Sequence, residues 1–163
     1  MRKLLKVLII CTGNSCRSIF GEALLNHLGS GRVQAYSAGS HPAGQVHPET
    51  LQTLKSHNIP TDGLSSKSWD VLEDKEIDIV ISVCDQARGE SCPVYMKNVA
   101  KAHWGLPDPA HVVGTQEEIR AAFEDTYESL KNRINTMLAL PLDQLTDQEL
   151  AVKLNEIGCV ENQ

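Results

Sequence analysis

An α/β sandwich around a parallel sheet of about four strands is expected for this chain, on three observations. Short apolar runs alternate along the sequence with longer segments of helical periodicity. The run from Val7 to Cys11 is apolar without alternation, the pattern of a strand covered on both faces. The 163 residues suffice for one domain with one core and are too few for two of ordinary size.

The elements follow in order. A first strand over Lys6 to Ile10 leads into the turn Thr12-Gly13-Asn14. From Arg17, the residues Ile19, Phe20, Ala23, Leu24, Leu25 and Leu28 recur at helical spacing until Gly29 and Gly31 end the pattern. Val33 to Ser37 reads as a second strand, and Pro48 opens a second helix over Glu49 to His57 with Leu51 and Leu54 inward. Ile77 to Val83 is the most β-branched stretch and forms a third strand, which delivers the chain to Cys84. Ala100 to Trp104 is a fourth, ended by Gly105-Leu106-Pro107-Asp108-Pro109, whose prolines exclude regular structure. Thr115 and Glu118 make a capping box for a helix of about twenty residues, burying Ile119, Ala122, Phe123, Leu130, Ile134 and Leu138. Thr146 and Glu149 make another, opening a short final helix. Residues 1–140 are expected to form the domain, and 141–163 a helical extension packed on it or trailing from it.

Composition narrows the function. Lys plus Arg less Asp plus Glu is 15 − 21 = −6, which leaves no basic surface for a nucleic-acid backbone or an anionic membrane. Hydrophobic residues at 41% and charged residues at 22% are those of a globular chain. The longest apolar run is far short of the roughly 20 residues that span a bilayer. Lys6 interrupts what would otherwise resemble a secretion signal, so a cytoplasmic monomer with reduced thiols is expected. Five cysteines are present: Cys11 and Cys16 lie five apart, Cys84 and Cys92 eight apart, and Cys159 stands near the C-terminus. Reduced cysteines in close pairs are more often catalytic, redox or metal residues than packing residues. One pair eight apart makes a poor zinc site, and the six histidines are scattered without metal-ligand spacing, so no metal is expected.

The chemistry concentrates in Cys11-Thr12-Gly13-Asn14-Ser15-Cys16-Arg17-Ser18, between the first strand and the first helix. Successive backbone N–H groups of a loop entering a helix form a nest for a tetrahedral oxyanion. Gly13 permits the tight loop, and Arg17 can clamp two oxyanion oxygens at once, which a lysine cannot. The same field favours the thiolate of Cys11, to which Ser18 can donate a hydrogen bond. A nucleophile and the anion it would attack therefore share one loop.

These eight residues, with Asp108-Pro109 late in the chain, resemble the phosphate-binding loop and essential Asp-Pro of the low-molecular-weight protein tyrosine phosphatase superfamily. The resemblance implies a phosphotyrosine phosphatase I-like three-layer sandwich, with Cys11 as nucleophile, Arg17 as clamp and Asp108 as general acid. Such a phosphatase has no use for Cys84 and Cys92. Those residues, with His103-Trp104-Gly105 and Asp108-Pro109-Ala110, resemble the thioredoxin-coupled arsenate reductases, the redox branch of that superfamily. That branch implies arsenate on the loop, with phosphate or sulfate as mimics, and a disulfide cascade from Cys11 to Cys84 to Cys92. It implies no tightly bound cofactor; electrons arrive from thioredoxin, or from glutaredoxin with glutathione. The alternative is a tyrosine phosphatase using Cys11, Arg17 and Asp108.

Three departures stand out. Ala110 takes the place where the phosphatases carry an aromatic residue beside the substrate ring. The spacing of Cys84 and Cys92 is one residue longer than the reductases use. Asn14, Glu22, Ser37 and Ser65 resemble the set that holds a potassium ion in some of these reductases, but Lys67 stands where an Asp would complete it. The Lys67 ammonium is expected to replace the cation, paired with Glu22. Cys16 is either packing or a protective partner of Cys11, and Cys159 has no assigned role.

Overall fold

The structure, a computed structural model, describes residues 4–83 and 99–161. Strand β1 (Leu5–Cys11) leads to helix α1 (Arg17–Leu28), strand β2 (Val33–Gly39) and helix α2 (Pro48–Ser56). A 3-10 turn (Trp69–Leu72) precedes β3 (Ile79–Ser82) and β4 (Ala100–His103). A second 3-10 turn (Pro109–His111) precedes the long α3 (Gln116–Leu138) and the final α4 (Asp147–Glu161). The strands form one parallel sheet in the order β2-β1-β3-β4, flanked by helices. No helix among the described residues is long and apolar enough to cross a membrane.

The central strands are covered on both faces, since Val7 through Ile10 and Ile79 through Ser82 are all buried whichever way they point. Helix α1 closes on β1 at Gly21, where a β-carbon would lie 2.5 Å from Ile9 Cδ1. Phe20 carries that contact outward, packing edge-on against Phe123 and Tyr127 of α3. The capping box at Thr115 and Glu118 is formed and opens α3. Its buried face differs from the expected one: Ile119, Ala122 and Leu138 are only partly covered, while Thr126, Tyr127, Arg133 and Met137 are inside. Leu28, expected inward, is 37% exposed.

Two local readings also change. The segment after β4 is not wholly irregular, because Pro109 begins a 3-10 turn at the first helical position, where its missing N–H is no loss. Trp104, at the end of the fourth strand, belongs to the core: it is fully buried, and its indole N–H donates to Leu154 O at 2.7 Å. Helix α4 thereby covers the edge strand. Asn155 accepts from His103 N at 2.9 Å and donates to Lys101 O at 3.4 Å, taking the place of a fifth strand.

Candidate active site

The chain leaves β1 for β2 on one side, then crosses to β3 on the other, so the winding direction reverses at β1. The crevice at that reversal opens at the carboxyl ends of the strands, and Cys11 is the last residue of β1. Cys11 is 4% exposed, and α1 begins six residues on at Arg17.

The loop between them is held from outside through its carbonyls. Thr12 O accepts from His41 N at 3.0 Å; Gly13 O accepts from Ala43 N at 2.9 Å and Ser66 Oγ at 3.1 Å. Ser15 O accepts from His47 N and Thr50 Oγ1, each at 3.0 Å. Gly39 at the end of β2 permits this approach, because a β-carbon there would strike the Thr12 carbonyl. Gly39→Ala is therefore expected to cost about 1–3 kcal/mol by overpacking against backbone, read as a lower urea midpoint.

Asn14 organises the loop's inner side. It is fully buried and left-handed at φ 48°, a conformation asparagine tolerates better than most residues. Its Nδ2 donates to Ser18 Oγ at 2.8 Å and Ser37 Oγ at 3.0 Å, and its Oδ1 accepts from Lys67 N at 2.9 Å. Ser37 Oγ donates in turn to Glu22 Oε1. Lys67 Nζ donates to Ser65 O at 2.8 Å and lies 3.8 Å from Glu22. Asn14, Glu22, Ser37, Ser65 and Lys67 thus form one connected network. Asn14→Ala is expected to cost about 2–4 kcal/mol in urea unfolding, with Asn14→Gly about 1 kcal/mol milder because glycine takes the left-handed backbone freely.

Burial pushes the Glu22 carboxyl up, an effect opposed by the Ser37 hydroxyl and the Lys67 charge. Burial pushes the Lys67 ammonium down, opposed by Glu22. Losing one member leaves the other charge buried alone, so Lys67→Met is expected to be less stable than Lys67→Met combined with Glu22→Gln. The sign with pH follows. A carboxyl raised in the folded state contributes stability at acid pH and loses it as pH climbs through the raised value. The deficit of Lys67→Met should therefore shrink as pH is lowered toward the carboxylate range.

Arg17 faces the rim formed by the loop after β4. Its Nη1 donates to Leu106 O at 2.9 Å, and its Nη2 lies 3.4 Å from Asp108 Oδ2. Its Nε is buried without a hydrogen-bond partner, an unspent donor beside the loop. Asp108 caps the 3-10 turn, its Oδ1 accepting from Ala110 N at 2.9 Å, while His111 Nε2 lies 3.4 Å from Oδ2. Cys16 is buried, and burial pushes its thiol up; the Ser15 hydroxyl sits 3.6 Å from its sulfur. Burial therefore works against a thiolate at Cys16.

Cys84 and Cys92 lie outside the described residues, as does the side chain of Cys159. Cys84 follows Val83, which is tied into the sheet by Val83 N to Ile10 O at 3.0 Å and Leu106 N to Val83 O at 3.1 Å. Sequence reasoning missed the outer supports His41, Ala43, His47, Thr50 and Ser66, which no local motif marks. It also read the histidines as scattered, yet folding brings His57 against Glu124 at 2.8 Å, with Glu128 in the same group of ligand-type atoms within 4.8 Å.

A cysteine at a sheet's switch point, an arginine at the helix start and a carboxylate on the opposite rim, on a four-stranded parallel sheet flanked by helices, are an arrangement of the phosphatase type. The chain matches the low molecular weight phosphotyrosine protein phosphatase family over residues 6–151, and it belongs to that family. Among curated relatives, the arsenate reductase of Bacillus subtilis is 30% identical over 131 residues, covering 78% of this chain and 91% of that one. A thioredoxin-dependent arsenate reductase of Corynebacterium glutamicum superposes with a TM-score of 0.66 at 27% identity, covering 87% of this chain. This chain spans 64% of that longer protein. An arsenate reductase in the phosphate-binding state superposes with a TM-score of 0.63 at 28% identity, covering 81% of this chain and 98% of that one.

Proposed function

We propose that this chain reduces arsenate to arsenite, with Cys11 as nucleophile, Arg17 as oxyanion clamp and Asp108 as general acid. The observation that carries the reading is the meeting of Arg17 and Asp108 at 3.4 Å over a loop that starts at Cys11. The carbonyls of Thr12, Gly13 and Ser15 are engaged from outside, an arrangement that suits a loop whose amides serve an anion. The Cys11 thiolate attacks arsenic while Asp108 protonates the departing oxygen, which leaves as water. A second thiolate, Cys84, attacks Cys11 Sγ; the sulfur–arsenic bond breaks, its electron pair stays on arsenic, and arsenite departs. Cys92 then attacks Cys84, freeing Cys11 and moving the disulfide away from the anion site. A dithiol protein such as thioredoxin, or glutaredoxin with glutathione, supplies the two electrons, so no resident cofactor is required. Ala110 supports a small inorganic anion over a tyrosyl substrate, since it offers no ring to flank one.

Lys67 belongs to the same reading. Its ammonium lies against Glu22 within the network that orients Asn14, so the residues present do not fit a bound potassium ion. Potassium should raise neither activity nor melting temperature beyond sodium at equal ionic strength, and a specific rise would refute that assignment.

The function is tested by arsenate-dependent NADPH oxidation with thioredoxin and thioredoxin reductase supplied. Oxidation that requires arsenate is expected. Absence of oxidation together with hydrolysis of an aryl phosphate would replace this reading by a phosphatase using the same three residues.

A further inference from the structure

A histidine and two glutamates meet where the end of α2 packs against α3, and none of the three takes part in the chemistry at Cys11. His57 caps the C-terminal end of α2, while Glu124 and Glu128 stand on α3. Four positions apart, the two glutamates share one face of that helix. His57 Nε2 lies 2.8 Å from Glu124 Oε1 and 3.0 Å from Glu124 Oε2. With Glu128 included, one ligand-type atom from each of the three side chains lies within 4.8 Å of the other two.

The imidazole is fixed in place by groups outside this cluster. Its ring stacks on Tyr127, with centroids 4.0 Å apart and planes inclined by 13°. Tyr127 is itself 2% exposed and so forms a rigid platform. The backbone N–H of His57 donates to Leu54 O at 3.1 Å. The acidic side of the cluster exceeds what an ion pair needs. One carboxylate suffices for one imidazolium, and a second carboxylate at the i+4 position adds like-charge repulsion. Both negative charges reach the platform: burial pushes the Tyr127 hydroxyl up, and Glu128 and Glu124 push it further. The neighbouring cations are placed elsewhere, since Arg120 Nε lies 3.7 Å from Glu49 Oε2 and Lys131 Nζ stands 6.0 Å from the Tyr127 ring centroid. A cavity of about 260 Å³ opens beside Glu124, and Glu49 also lines it. Glu49 Oε2 is buried there without a hydrogen bond, an acceptor of the kind that a metal-bound water satisfies.

We propose that His57, Glu124 and Glu128 bind one divalent transition-metal ion of the zinc class, which clips the end of α2 to α3. One imidazole and two carboxylates, with water in the fourth position, are an ordinary donor set for such an ion. Two donors bonded to a tetrahedral ion at about 2.1 Å stand roughly 3.4 Å apart. That spacing falls between the 2.8 Å of the His57–Glu124 contact and the 4.8 Å limit of the whole group. Small rotations of the glutamates therefore complete the site: the Glu124 side chain is 43% exposed, and Glu128 is exposed.

The test is a titration of the full, reduced chain with zinc chloride at neutral pH, followed through the ring-nitrogen NMR signals of His57, assigned by their loss in His57→Gln. This readout is needed because the thiols of the protein also bind zinc, whereas the His57 ring reports on this site alone. The His57 signals are expected to shift and saturate at one ion per site. The melting temperature should rise by roughly 5–10 °C when free zinc reaches about a hundred times its dissociation constant. Glu128→Gln, at an exposed position, is expected to fold, to weaken the binding seen at His57 by more than about tenfold and to lose most of the thermal shift. Asp125→Asn, which removes an adjacent acid outside the group, should leave the binding unchanged. His57 signals that stay fixed in a large excess of zinc would make this cluster an ion pair only and overturn the proposal. Equal affinity at His57 in Glu128→Gln and the natural protein would overturn it as well.

Discussion

Cys92→Ser is expected to stop the protein after one arsenite per chain, leaving a Cys11–Cys84 disulfide that thioredoxin does not reach. The outcome follows from the proposed cascade by electron count. Reduction of arsenate to arsenite takes two electrons, and two thiols becoming one disulfide supply them. Without Cys92 the first disulfide has no internal thiol to accept it, so the oxidation stays on Cys11, which is 4% exposed at the end of β1. The measurement is arsenite formed per protein, with thiol counting before and after and peptide mapping of the disulfide. Multiple turnovers by Cys92→Ser would show that a smaller external thiol resolves Cys11 directly. Unchanged hydrolysis of an aryl phosphate by both proteins, with no arsenite from either, would favour the phosphatase alternative.

Arg17→Lys is expected to lower single-turnover arsenite formation by about 10²–10³-fold, the usual size of losing one preorganised oxyanion donor. Charge is retained, so the loss is one of geometry. The guanidinium already spends Nη1 on Leu106 O at 2.9 Å and still presents further N–H groups, including the buried and unpartnered Nε. A lysine ammonium is a single point donor that cannot hold the Leu106 carbonyl and two oxyanion oxygens together. Inorganic phosphate should correspondingly fail as a competitive inhibitor of the variant. A fall of less than about tenfold, with phosphate inhibition intact, would mean that the loop amides bind the anion without the clamp.

Much of this architecture is legible in the chain because its causes are local. The apolar run before Cys11 and the β-branched stretch before Cys84 are strands because a sheet covered on both faces rewards continuous burial. Thr115 with Glu118 and Thr146 with Glu149 announce their helices because each box satisfies orphan N–H groups within four residues. Cys11, Gly13, Arg17 and Ser18 are legible as a candidate site for a similar reason: cysteine, turn and arginine occupy one loop whose geometry follows from a strand entering a helix. Local pattern fails where burial is decided by a distant partner. Leu28 fits the apolar stripe of α1 but is 37% exposed, and Arg133 is polar but is 1% exposed. Trp104 is placed by Leu154 of α4, fifty positions on, whose carbonyl accepts its indole N–H.

By itself, then, the sequence determined the class of fold, and it marked out Cys11 to Ser18 as the candidate loop, within a span of a few residues. Only the tertiary structure decided what holds that loop open: His41, Ala43, His47, Thr50 and Ser66 grip its carbonyls, and Gly39 lets β2 come close enough. It alone joined Asn14 to Ser37, Glu22 and Lys67, and set Arg17 against an aspartate 91 positions away. The reason is physical: a hydrogen bond or ion pair depends on a separation of about 3–4 Å in space, and separation along the chain does not specify it. The sheet order β2-β1-β3-β4 creates that proximity, by bringing the ends of β1, β3 and β4 to one rim.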